Sequence, residues 1–289
     1  MPLVKVIVLA IVQGLAELLP VSSSAHVVVA EKLLGLDPSS PPMTLLLVML
    51  HTGTMLAVIV YFWPQWRAAY FQSASAFRSF AVLVVVATAC TAVIGFGIVK
   101  VIEKTVLRAV PHAQIEDLFG HLEFIAPALA AVGVLIVIAG LFERRQSARL
   151  PSVAGELNVQ RAGLIGAVQG LCLPFRGFSR SGATISTGML LGVAKSRAEA
   201  FSFALAVVLT PPVVAREVMR LVRAVQVSGT GDLASAAFAS ALGALVALVA
   251  GLLALRWLSR WLEGGRWYFF GIYCLIAAAA VALLHHAGY

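Results

Sequence analysis

The sequence predicts an all-α polytopic membrane protein, with six transmembrane helices plus two re-entrant helix hairpins in an inverted repeat. Three observations carry that prediction. First, only 12% of the 289 residues are charged and 61% are hydrophobic. That charged fraction is about half of the roughly 25% found in soluble domains, so it cannot supply the charged skin of a water-soluble globule. Second, six stretches are long and apolar enough to cross a bilayer, for which about 20 residues suffice. Third, two further apolar segments are interrupted by proline and polar residues, and they resemble each other. The same composition excludes a disordered chain, which would leave too much apolar surface in water.

In chain order, the first interrupted segment is Leu3–Leu36, broken at Pro20 and carrying Glu17, three serines and His26 at its centre. Met43–Trp63, Phe80–Val99 and Phe124–Phe142 follow as full spans. The second interrupted segment, Ala162–Val193, is broken at Pro174 and carries Arg176, Ser179, Arg180, Ser181 and Thr184. Ala200–Met219, Ala234–Leu255 and Trp267–Leu284 complete the spans. Each interrupted segment is too polar at its centre to face lipid, and its length suits two half-helices that enter and leave on one side. The links are short, so residues 1–289 form a single integral membrane domain, with repeats of approximately 1–142 and 143–289. Trp63, Trp66, Trp257, Trp261 and Trp267 fall near span ends, where an aromatic belt is expected. Lys5 precedes the first apolar run without a small-x-small cleavage site, so that run is expected to be retained.

The repeat rests on particular residues. Val12-Gln13-Gly14-Leu15 recurs as Val168-Gln169-Gly170-Leu171, and a proline follows in both copies. Ser22-Ser23-Ser24-Ala25 then matches Ser179-Arg180-Ser181-Gly182. Paired, interrupted segments in two halves of a membrane protein point to a site at the midplane. Three spans separate the copies, so they enter from opposite faces and their tips meet inside the bilayer. Loops 64–79, 143–161 and 256–266, with the Lys195/Arg197 turn, hold more Lys and Arg than the opposite face, which assigns them to the cytoplasm. The net charge of +8 lies mostly between apolar stretches, as in Arg144/Arg145 or Arg256/Arg260/Arg266. Juxtamembrane anchoring to anionic lipid explains it better than nucleic acid. Cys90, Cys172 and Cys274 lie within apolar runs without metal-type spacing and read as packing residues.

Charged groups inside a membrane segment are costly, so function is their default reading. In the first tip, Gln13 and Glu17 are four apart on one helical face. After Pro20, Ser22 or Ser23 can cap a new helix that places His26 on the same face. A carboxylate, a hydroxyl and an imidazole are the parts of an activated nucleophile with an acid/base partner. In the second tip, Ser179 or Ser181 can cap the helix that carries Thr184, and Arg180 projects from its start. A guanidinium beside a helix N-terminus suits phosphate. His51 in the next span reads as a packing or hydrogen-bonding residue.

At these residues the sequence resembles the undecaprenyl-diphosphate phosphatase family, the bacitracin-resistance proteins of bacterial envelopes. The family's first motif, Glu-or-Gln-Gly-x-x-Glu-x-x-Pro-x-Ser-Ser-x-x-His, is matched from Gln13 through Glu17, Pro20, Ser22 and Ser23 to His26. The second, Pro-Gly-x-Ser-Arg-Ser-Gly-x-Thr, is matched from Gly177 through Ser179, Arg180, Ser181 and Gly182 to Thr184, with Arg176 in place of the proline. The resemblance implies an enzyme of the bacterial cytoplasmic (inner) membrane that removes the terminal phosphate of undecaprenyl diphosphate. Its product is the lipid carrier for peptidoglycan synthesis, and its site faces the periplasm or outer side. It also implies a divalent cation, Mg²⁺ or Ca²⁺, and a prenyl diphosphate lipid as substrate in surrounding membrane lipid; a homodimer is a further expected partnership. By motif position Ser23 is the nucleophile and Glu17 the base, while His26 and Arg180 handle proton transfer and phosphate charge. Gln13, Ser22, Ser179, Ser181 and Thr184 are the expected substrate contacts. Glu17, with the Gln13 carbonyl, is the expected metal ligand. Many members have Glu at the Gln13 position, so a negative charge is missing from any cation site here.

The residues leave either Ser23 or His26 as nucleophile. They also admit a different class of function, a lipid-phosphate translocase, since inverted repeats with broken helices are transporter architecture. The Glu17/Ser23/His26 set discriminates the two, because transport alone has no need of it.

Overall fold

The structure is a computed structural model that describes residues 2–36, 40–105, 115–118, 121–147, 155–228 and 233–288; the rest of loop 143–161, residues 148–154, lies outside them. Among the described residues the chain is helical, with no strand and one isolated bridge between Gly155 and Val193. The first half contains α1 (Leu3–Leu18), α2 (Ser23–Leu33), α3 (Pro41–Tyr70), α4 (Ala74–Thr105), a 3-10 turn (Ile115–Leu118) and α5 (Leu122–Ser147). The second contains α6 (Val159–Leu171), α7 (Arg180–Leu190), α8 (Lys195–Ser228), α9 (Leu233–Glu263) and α10 (Tyr268–His286). A short helix, a break, an 11-residue helix and three long helices thus occur twice in the same order.

Local chemistry sets both breaks. Leu19, at the C-cap of α1, is extended (φ −80, ψ 152), as a residue before proline must tend to be. The Ser22 side chain then caps α2 by accepting from the Ala25 N–H at 3.4 Å. In the second copy Pro174 follows the end of α6, and the Ser179 side chain caps α7 by accepting from the Gly182 N–H at 3.2 Å. Each cap satisfies an N–H group that the helix itself leaves unpaired.

Among the described residues, five helices, α3, α4, α5, α9 and α10, are long and apolar enough to cross a membrane. They overrun the expected spans, running for example over Pro41–Tyr70 where Met43–Trp63 is predicted. The predicted span Ala200–Met219 lies within α8 (Lys195–Ser228), part of which falls outside the residues whose side chains are described. The chain is therefore a helical, multi-pass membrane protein. Val85 (65%), Val93 (72%) and Phe96 (62%) of α4 are largely exposed, a surface suited to lipid and costly in water.

Packing interleaves the halves. α1 lies on α9 and α6 lies on α4, so the first helix of each half rests on the fourth helix of the other. The repeated Val-Gln-Gly-Leu supplies the reason. A Cβ on Gly14 would stand 2.6 Å from the Ala250 Cβ, and one on Gly170 would stand 2.9 Å from the Ile94 Cβ. Small residues let membrane helices approach closely, where dispersion and not hydrophobicity holds them together. The predicted tryptophan belt is corrected in part. Trp63 and Trp257 are exposed, but Trp66 and Trp267 are buried and donate to the Ala200 carbonyl at 3.2 Å and the Ser186 Oγ at 2.9 Å. An indole N–H with an internal partner has no need of the headgroup layer.

Candidate active site

The two breaks meet. Ser24 Oγ on the first tip accepts from the Gly177 N–H at 3.2 Å, and Ser181 Oγ on the second donates to the Leu19 carbonyl at 3.1 Å. Within each tip the flanking serines bond to each other, Ser22 to Ser24 at 3.2 Å and Ser179 to Ser181 at 3.4 Å. Cys274 of α10 donates to the Pro20 carbonyl at 3.4 Å. Gly177 has φ +100, and a Cβ there would stand 2.6 Å from the Ile125 carbonyl, so only glycine fits this turn. Ser22, with φ 68, also lies in the left-handed region. A serine held there is strained and persists because its surroundings fix it.

Glu17 sits where the tips touch. Its Oε2 accepts from Ser23 Oγ at 2.5 Å and from Gln13 Nε2 at 3.1 Å, while its Oε1 accepts from Arg180 Nη2 at 2.8 Å. Ser23 and Arg180 are the first residues of α2 and α7 and occupy equivalent places in the repeat. One carboxylate therefore joins the starts of two helices, whose dipoles favour negative charge. The Glu17 and Arg180 side chains are 17% and 22% exposed, so the pair is largely withdrawn from water. Arg180 Nη1 is buried without a hydrogen-bond partner, which leaves a guanidinium donor for an incoming anion. A narrow pocket reaches Glu17 and Arg180 between α3 and α8, lined by His51, Thr54 and Met55 on one side and Val207 and Thr210 on the other.

Similarity to known proteins agrees with this geometry. The family model described as "Bacitracin resistance protein BacA" matches residues 6–280. An "Undecaprenyl-diphosphatase 2" of Acinetobacter baylyi is 52% identical over 288 residues, with 98% of each chain covered. An "Undecaprenyl-diphosphatase" of Rhodopirellula baltica is 31% identical with 98% of each chain covered, and one of Desulfosudis oleivorans is 33% identical over 93% of this chain and 94% of that one. The chain belongs to the BacA family.

In this BacA-family chain the structure brings Gln13, Glu17, Ser23 and Arg180 into one constellation and sets the other expected residues around it. His26 lies beside it and is held elsewhere. Its Nδ1 is 2.7 Å from the Ser22 carbonyl and must donate there, while its Nε2 is 2.7 Å from the Tyr273 hydroxyl and accepts from it in the neutral imidazole. Thr184 is fully buried, with its hydroxyl 2.7 Å from the Arg180 carbonyl and 2.6 Å from Ser202 Oγ. Ser22, Ser179 and Ser181 likewise bond within and between the tips. These four brace the site, and their hydroxyls are engaged inside the protein.

Two neighbours escape sequence reasoning. His51 donates from Nδ1 to the Leu47 carbonyl at 2.8 Å, the hydrogen-bonding place expected of it, and its Nε2 also stands 3.9 Å from Glu17 Oε2. Tyr273, on the last helix, orients His26 by a hydrogen bond and by stacking, with ring centroids 5.6 Å apart. An intramembrane histidine is a signal that could have found the first. Tyr273 has none, because its place depends on how α10 packs. Among the described residues no group of three or more His, Cys, Asp or Glu side chains comes together. With both Glu17 oxygens engaged, the donor set does not make a cation cage from protein alone.

Proposed function

We propose that the chain hydrolyses undecaprenyl diphosphate to undecaprenyl phosphate and inorganic phosphate, and so recycles the lipid carrier for peptidoglycan synthesis and confers resistance to bacitracin. The observation that carries this reading is the single carboxylate of Glu17 joining the Ser23 hydroxyl of its own tip to a guanidinium 163 residues further along the chain. A translocase could use the arginine, but it has no use for a serine held on a base.

In this mechanism the prenyl chain lies between spans, with its diphosphate at the tips. Arg180 turns its free donor to the terminal phosphate, and the N-termini of α2 and α7 offset its charge. Ser23 Oγ attacks the terminal phosphorus and passes its proton to Glu17. The bond from phosphorus to the bridging oxygen breaks, and undecaprenyl phosphate leaves and takes up the proton. Glu17, again a carboxylate, then takes a proton from water as the water attacks the phosphoserine, and returns it to Ser23 Oγ as the bond from phosphorus to that oxygen breaks and inorganic phosphate leaves. This is positioning and charge neutralisation, as phosphoryl transfer requires. His26, fixed by Tyr273, serves proton transfer to the leaving group. Ser22, Ser179, Ser181 and Thr184 act as positioning residues that lock the tips.

Mg²⁺ or Ca²⁺ enters this reading with the substrate. Glu17 and the Gln13 carbonyl would offer it oxygen, the diphosphate most of its remaining ligands, and the ion would neutralise phosphate charge. The proposal includes six spans and two re-entrant hairpins entering from opposite faces, with the site facing the periplasm or outer side of the inner membrane. The test is phosphate release by the purified chain in detergent with undecaprenyl diphosphate. Release with Mg²⁺ or Ca²⁺ is expected, and no release with either contradicts the function.

A further inference from the structure

A second polar cavity, of about 420 Å³, lies away from the tips. It is bounded by the end of α5 (Glu143, Arg144), the start of α8 (Lys195) and the turn between α9 and α10 (Gly264 to Tyr268). α7 separates it from Arg180 by 11 residues, about 16 Å of helix. The Gly155 N–H donates to the Gly192 carbonyl at 2.9 Å, so the link before α6 and the link before α8 lie on the same face.

Among the described residues, three cations and one carboxylate line this cavity. Lys195 Nζ is 2.6 Å from Glu143 Oε1, which neutralises the carboxylate. Arg144 and Arg266 are then in excess, both exposed at the rim. Arg266 lies over the Trp261 ring, 5.9 Å from its centroid, so its guanidinium is supported on an aromatic face. Gly264 and Gly265 add no side chain to the opening, and Tyr268 and Phe269 supply an apolar wall. The volume falls within the roughly 300–1,000 Å³ of small-molecule sites. Basic pockets between membrane helices at the cytoplasmic headgroup layer suit anionic head groups.

We propose that this pocket binds a phosphate group at the headgroup layer of the face where α7 ends, that of an anionic phospholipid. Free phosphate has the same chemistry, and the experiment separates the two sources. The full chain, purified in detergent, is examined by native mass spectrometry with dioleoylphosphatidylglycerol, with dioleoylphosphatidylcholine and with phosphatidylglycerol plus millimolar inorganic phosphate. R144Q/R266Q is compared with R67Q/R78Q, which removes the same charge from the α3–α4 turn. Phosphatidylglycerol retention is expected to fall at least tenfold in R144Q/R266Q and to stay within twofold of wild type in the control, with inorganic phosphate competing weakly. Full displacement by inorganic phosphate reassigns the same cations to a soluble anion and supports the phosphate site. Equal loss in both variants, or equal retention of phosphatidylcholine by the wild type, overturns it. Should the double variant not fold, R144Q, whose side chain is exposed, gives the same contrast.

Discussion

Glu17 accepts from a serine at 2.5 Å through one oxygen and from a guanidinium at 2.8 Å through the other. The two contacts ask different things of it, and substitutions separate them. Glu17→Gln keeps the shape but removes the proton acceptor, so kcat should fall by about 10²–10⁴ while the detergent melting temperature changes less. A fall in stability without a fall in kcat would contradict the base role. Gln13→Glu places a second carboxylate beside Glu17 Oε2, now 3.1 Å from the amide. It should change the half-saturating Mg²⁺ concentration several-fold and leave KM for the lipid nearly unchanged, and an unaltered Mg²⁺ dependence would argue against a cation at that place. His26 has Nε2 turned to Tyr273, so rapid quench with substrate labelled at the terminal phosphorus should find label on Ser23 and none on His26. Glu17, Ser23 and Arg180 were legible because they fall at matched breaks in a repeated pattern. His51 was not, because a lone histidine in a span has no sequence neighbour that tells which helix it will face.

Helices join these residues, and their closest contacts are the most sensitive. Gly14 and Gly170 each leave no room for a Cβ, whereas Gly97 in α4 has nothing within 4 Å of one. Gly14→Ala and Gly170→Ala should therefore each destabilise the chain, by about 1–3 kcal/mol as overpacking does, while Gly97→Ala should leave stability unchanged or raise it slightly. Thermal unfolding in detergent reads the contrast, and equal effects at all three sites would show that the interleaved contacts do not hold the halves together. Both helix breaks were legible from Pro20, Pro174 and the serine caps. The end of each long helix was not, since α3 continues through Pro64 to Tyr70, so neither the end of the apolar run nor a proline marks where the helix stops. α8 shows the same limit, because its charges interrupt an otherwise apolar run without ending the helix.

The whole molecule is two copies of one helix order wrapped around a shared contact. With the re-entrant layout proposed above, the α3–α4 turn and the α9–α10 turn share the cytoplasmic face, and the α2–α3 link lies outside. Gln72→Cys and Gly264→Cys should react with an impermeant thiol reagent only after permeabilisation, and Gly35→Cys in intact cells; the reverse pattern would invert the assigned orientation. The membrane class was legible from composition and the pairing of the tips from the repeat. The interleaving of α1 on α9 and α6 on α4 was not, because which surfaces meet is settled by packing across the full chain. The central claim is that the tips form one catalytic centre only together. It is tested most directly by phosphate release from undecaprenyl diphosphate with folded Ser23→Ala and Arg180→Ala beside wild type, one substitution in each tip. Each should lose at least about 10³-fold in kcat/KM, the scale of a lost phosphate-clamping arginine; near-wild-type turnover in both would contradict the account.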